Sequence, residues 1–156
     1  MIDLDVIIKE THSLLVERCF LYDKESKLLF TKTGNYTGID FDVEELTRHI
    51  GYTHYAIHNH PVEDWSVSLQ DLKFSLCYQI PYIIAITPKH VNIVKFKSNN
   101  ISVNDLECLW CEIWKRYYSH IGHSIDHDIS HLLLTKLSEI WHDKVEYYHI
   151  PYKYED

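Results

Sequence analysis

Apolar positions recur along this chain with two periods, and the switches between them mark out its elements. Val6, Ile7, Leu14 and Leu15 share one helical stripe behind an acidic start, which predicts a first helix over 4–15. Glu17 to Tyr22 and Leu28 to Thr33 are β-rich and flank the polar turn Asp23-Lys24-Glu25-Ser26, the signature of a hairpin. Gly34-Asn35 and Thr37-Gly38 then mark a loop. Over 42–50 the period is helical again, with Asp42 as N-cap, Glu45 three residues on and Gly51 just past the end.

His54 to His60 alternates as a strand does, and Ser68 to Tyr78 opens on a serine cap with helical spacing. Tyr82 to Thr87 reads as a buried strand and Val91 to Phe96 as its partner, joined through Pro88-Lys89-His90. After 97–100 the pattern predicts two helices, over 103–118 and about 125–147, separated by Gly122. Residues 149–156 read as a loose tail. The expectation is an α/β body of mixed sheet and flanking helices over 1–100, a helical extension packed on it over 101–148, and a tail over 149–156.

Composition narrows the function classes. A chain of 156 residues, 46% hydrophobic, can build one real core. Its formal net charge of -8 and its lack of a basic cluster disfavour nucleic acid and anionic membrane surfaces, both of which are held by Lys and Arg. The start has no basic n-region, and no apolar run approaches the roughly 20 residues that span a bilayer, so the expected location is the cytoplasm. The four cysteines are expected to be free thiols in a reducing compartment. Two of them, Cys108 and Cys111, are expected to be buried on a helix. The stripe of Leu106, Trp110, Ile113, Trp114 and Tyr117 reads as core, with Trp110, Trp114 and Trp141 packing against one another, the sheet or a second subunit.

Histidine stands out, with 12 residues, and its spacing carries the chemistry. His58 and His60 lie two apart in an alternating segment, so both rings face one side of a strand. Asp71 follows one turn into the next helix, where a strand end feeding a helix start can swing a carboxylate towards the strand. Two imidazoles and one carboxylate suit zinc and leave a fourth position for water, which is a catalytic rather than a structural ligand count. His120, His123, His127 and His131 form a second stripe, interrupted by Gly122, that reads as a polar or interface face.

His58-x-His60, seven residues, then Ser68-x-x-Asp71 resembles the motif of the JAMM (MPN/JAB) metallopeptidase family, and the form His58-Asn59-His60-Pro61 resembles its bacterial RadC-type branch. The resemblance spans about residues 3–96. It implies an MPN-type sheet flanked by helices, zinc on His58, His60 and Asp71, Glu17 as general base, and Ser68 helping to stabilise an oxyanion. Glu10 and Glu25 are the alternative bases. The chain departs from the family at Cys19 and Phe20, where many members carry glycines, and in the loop Val62-Glu63-Asp64-Trp65-Ser66, which is Ser-Gly-rich in the RadC type. What the resemblance implies for partners is a protein or peptide substrate, with the tail of a ubiquitin-like or sulfur-carrier protein as one option. The alternatives are an MPN-type scaffold and a RadC-type protein without peptidase activity. The helices after residue 100 offer a surface for self-association.

Overall fold

The computed structural model describes residues 1–36, 38–61, 64–98, 100–118 and 129–155. Helix α1 (Leu4–Thr11) leads into strands β1 (Arg18–Tyr22) and β2 (Leu28–Thr33). Helix α2 (Val43–Ile50), strand β3 (Tyr55–Asn59), helix α3 (Leu69–Cys77) and strands β4 (Tyr82–Ile86) and β5 (His90–Phe96) follow. Helix α4 (Val103–Ile113) runs on into a π-helical turn (Trp114–Tyr118), and helix α5 (Ile129–Ile140) precedes strand β6 (Val145–Pro151).

The strands form one mixed six-stranded sheet in the order β2-β1-β3-β4-β5-β6. Among the described residues only β3 and β4 run parallel, because α3 carries the chain back across the sheet between them; the other neighbouring strands are antiparallel. Paired residues share a face, so the register sets out a row across five strands: Cys19, His58, Ala85, Asn92 and His149. The next row on that face is Leu21, Ala56, Ile83, Val94 and Tyr147. Helices α2 to α5 cover it, burying Leu46, Leu72, Leu106, Ile113, Leu134 and Leu137 in one core. Each such aliphatic side chain contributes about 1.5–3 kcal/mol when fully buried. The opposite face presents Phe20, Ile57, Ile84 and Val91, covered by Ile7 and Ile8 of α1. Three layers result, with the His58 row on the four-helix side.

The C-terminal part differs from the expectation. The last helix ends at Ile140, and residues 145–151 form a strand that pairs with β5 along its whole length. Val145, Tyr147 and His149 point into the four-helix side while Tyr148 and Ile150 face out, a period-2 pattern that the apolar content of 141–147 disguises as helix. The expected tail is also held: the Tyr152 amide donates to the Lys89 carbonyl at 3.0 Å, and the Tyr154 ring stacks on His12 with centroids 3.7 Å apart. Cys108 and Cys111 are exposed rather than buried, because Leu106, Trp110 and Ile113 take the inward side of α4; Cys19 is the buried thiol. Among the described residues no disulfide occurs, and no helix is long and apolar enough to cross a membrane. Val62, Glu63, His120, Gly122, His123 and His127 lie outside the described residues.

Candidate metal centre

The site forms where β3 ends and α3 begins. The His60 amide donates to the Ile86 carbonyl at 2.8 Å, which prolongs the β3–β4 ladder beyond Asn59 and keeps His60 on the face that His58 occupies. Across the gap, Ser68 caps α3 reciprocally with Asp71. The Ser68 hydroxyl accepts the Asp71 amide at 3.1 Å, and Asp71 Oδ2 accepts the Ser68 amide at 2.9 Å. An N-cap of this kind stabilises a helix by about 1 kcal/mol. Here it also aims the carboxylate at the histidines.

His58 Nε2 lies 3.0 Å from His60 Nε2 and 3.2 Å from Asp71 Oδ2, and His60 Nε2 lies 3.9 Å from the same oxygen. In a tetrahedron with bonds of about 2.0 Å, ligand atoms stand roughly 3.3 Å apart. The observed separations bracket that value, and the trio forms a group that can hold a metal ion. His60 Nδ1 sits 2.5 Å from the Trp65 carbonyl oxygen. A carbonyl only accepts, so Nδ1 carries the hydrogen and Nε2 offers its lone pair to the site.

Electrostatics suit a cation. Burial opposes the charge on Asp71, but His58, His60 and the Ser68 amide outweigh it and hold the carboxyl well below the usual range. Burial together with the charge of His58 lowers His60 to about 4, so this ring is neutral at pH 7. His58 is desolvated too, yet the charge and hydrogen bond of Asp71 and the charge of Glu17 raise it above its ordinary 6.5. Of the two histidines, His58 therefore keeps its proton to the higher pH, and a metal ion competes with that proton. Below the His58 pKa the affinity for a divalent ion should fall about tenfold per pH unit, the slope of one displaced proton. Calorimetric titration across about pH 5 to 8 reads this slope, and an affinity flat over that range contradicts it.

Glu17 immediately precedes β1. Its amide donates to the Asn35 carbonyl at 2.9 Å and its carbonyl accepts the Gly34 amide at 2.7 Å, so the turn after β2 fixes its backbone. Gly34 has to be glycine there, because a Cβ would come within 2.1 Å of the Gly38 carbonyl oxygen. Asn59, which sequence reasoning passed over, clamps the same point from β3. Its side chain accepts the Arg18 amide at 2.7 Å and donates to the Val16 carbonyl at 3.1 Å, bracketing Glu17 on both sides. An Asn between two candidate ligands was the available signal, since its side chain must point away from theirs.

Glu17, His58, His60, Ser68 and Asp71 line one cleft of about 1090 Å³. Burial, partly offset by His58 and reinforced by Asp71, raises the pKa of Glu17 above its ordinary 4.5, the direction expected of a base tuned towards neutral pH. Glu10 is exposed on α1, which packs against the other face, and Glu25 lies in the hairpin turn at the far end of β1; neither lines the cleft. The cap uses a lone pair of the Ser68 hydroxyl and leaves its hydrogen for donation. Trp110 packs on the core and borders the cleft, whereas Trp65 and Trp114 stand exposed at its edge.

No protein-family model, curated protein or solved structure matches this chain.

Proposed function

We propose that this chain is a zinc-dependent peptidase or isopeptidase of the JAMM type, with an MPN-like sheet. The observation that carries the reading is the convergence of two imidazole Nε2 atoms and an ionised carboxylate on one point, with a raised-pKa glutamate in the same cleft. His58, His60 and Asp71 would hold the ion. Zinc bound there supplies Lewis acidity for a water and a scissile carbonyl. Glu17 accepts a proton from the attacking water and passes it to the leaving amine. Ser68 donates a hydrogen bond to the oxygen that gains charge on the carbonyl. The substrate is a peptide or isopeptide bond in an extended segment, and the tail of a ubiquitin-like or sulfur-carrier protein follows from the resemblance of 58–71 to the family motif.

The test is hydrolysis of a quenched peptide library and of ubiquitin-like fusions. Zinc-loaded protein should cleave at least one class, lose this activity by about 10²-fold or more with a chelator, and regain it with zinc. Cleavage indifferent to chelation, or none by zinc-loaded protein on either panel, contradicts the proposal.

A further inference from the structure

The segment Asp64-Trp65-Ser66 crosses the sheet face between the His58–His60 edge and β6, and it is held at three successive residues. The Asp64 carboxylate accepts from the Thr87 hydroxyl and from His90 Nδ1, at 2.8 Å to Oδ2. The Trp65 carbonyl accepts the Nδ1 hydrogen of His60. The Ser66 hydroxyl, 1% exposed with its residue, shares a hydrogen bond of 2.9 Å with the Tyr147 hydroxyl.

Behind these anchors stands a second polar layer. Tyr147 also bonds His131 Nδ1 at 2.8 Å. The His149 ring lies between His90 and His131, stacked on each with centroids 3.9 Å apart, and its Nδ1 meets the Oδ1 of fully buried Asn92 at 2.5 Å. Ala85 separates this layer from His58 in the sheet row, and its small side chain leaves room for the segment to pass overhead.

We infer that Asp64-Trp65-Ser66 is the outer shell of the metal centre, and that Tyr147 and Asp64 are positioning residues acting on His60 through the Trp65 carbonyl. This rests on the reading of His58, His60 and Asp71 as ligands of a divalent ion. The physical reason is tautomer control. A metal-binding imidazole needs its other nitrogen to donate to a fixed acceptor, or it turns and loses ligand geometry. A carbonyl between two pinned residues has little freedom in φ and ψ; releasing either pin lets it swing away from Nδ1. The Tyr147 anchor lies on β6, outside the stretch that carries the family resemblance. The C-terminal part of the chain therefore contributes to the site as well as to the core.

The experiment is a titration of metal-free, full-length protein with cobalt(II) and, by competition with a chromophoric chelator, with zinc. Tyr147→Phe and Ser66→Ala both remove the Ser66–Tyr147 hydrogen bond; Ser66→Ala isolates it, whereas Tyr147→Phe also gives up the bond to His131. Each should raise Kd by about 3- to 10-fold, less than the roughly 10- to 100-fold of a group bonded directly to a ligand, because the bond acts on His60 only through the Trp65 carbonyl. Each should also shift the ligand-field bands of the cobalt form, which a merely structural role would not move. Because both act along one path, the double variant should bind no worse than the weaker single. Additive losses, or single variants within about twofold of wild type with unchanged bands, overturn the outer-shell inference while leaving the three ligands standing. A wild-type protein that binds neither ion removes the metal reading itself, and this inference with it.

Discussion

His58→Ala combined with His60→Ala should abolish metal binding. Two of the three protein ligands go together, and the one carboxylate that remains holds no ion against dialysis. The effect should be confined to the metal, because His58 and His60 sit at the exit of β3 while the core beneath them is built from Leu21, Ala56, Ile83 and Val94 of the next row. Circular dichroism of the variant should match the metal-free wild type, and metal analysis after dialysis should find no zinc. Retention of stoichiometric zinc by the double variant would place the site elsewhere. Asp71→Ala should lose metal as well, but with a cost to folding, since the same carboxylate closes the cap of α3 through the Ser68 amide.

Glu17→Gln should separate chemistry from binding. The amide keeps the shape of the side chain and its backbone pairing with Gly34 and Asn35, but offers no basic oxygen. Zinc content should stay at the wild-type level, because Glu17 is outside the ligand trio. The turnover number on a substrate that wild type cleaves should fall by about 10²–10⁴, the range for loss of a general base. Near-normal turnover by Glu17→Gln would assign the proton transfer to another group in the cleft.

How much of this was written in the sequence depends on whether the relevant force is local. The cap pair Ser68 and Asp71 and the same-face pair His58 and His60 follow from helix and strand periods, so their spacing already placed three candidate ligands together. The hairpin 18–33 and the strands around 82–86 and 90–96 were equally legible, because β-rich runs there are bounded by turn residues. Strand β6 was not. Val145 and Tyr147 follow directly on a helix-patterned run with no Gly or Pro between, and only pairing with β5, 49 to 61 residues away in sequence, selects the strand.

The same limit hid Asn59 and Tyr147. The position of Asn59 between two candidate ligands sends its side chain to the other face, but what it holds there is set only when β1 lies beside it, and Tyr147 gains its role only when the chain returns to the sheet. Cys108 and Cys111 were misplaced for a simpler reason: the width of the inward stripe on α4 is set by which helices pack there, and Leu106, Trp110 and Ile113 fill it.

One measurement bears most directly on the central claim. Calorimetric titration of the metal-free wild-type chain with zinc at neutral pH should show a single site, one ion per chain, and the bound ion should survive dialysis. No heat of binding and no retained zinc in the presence of excess metal would contradict the account.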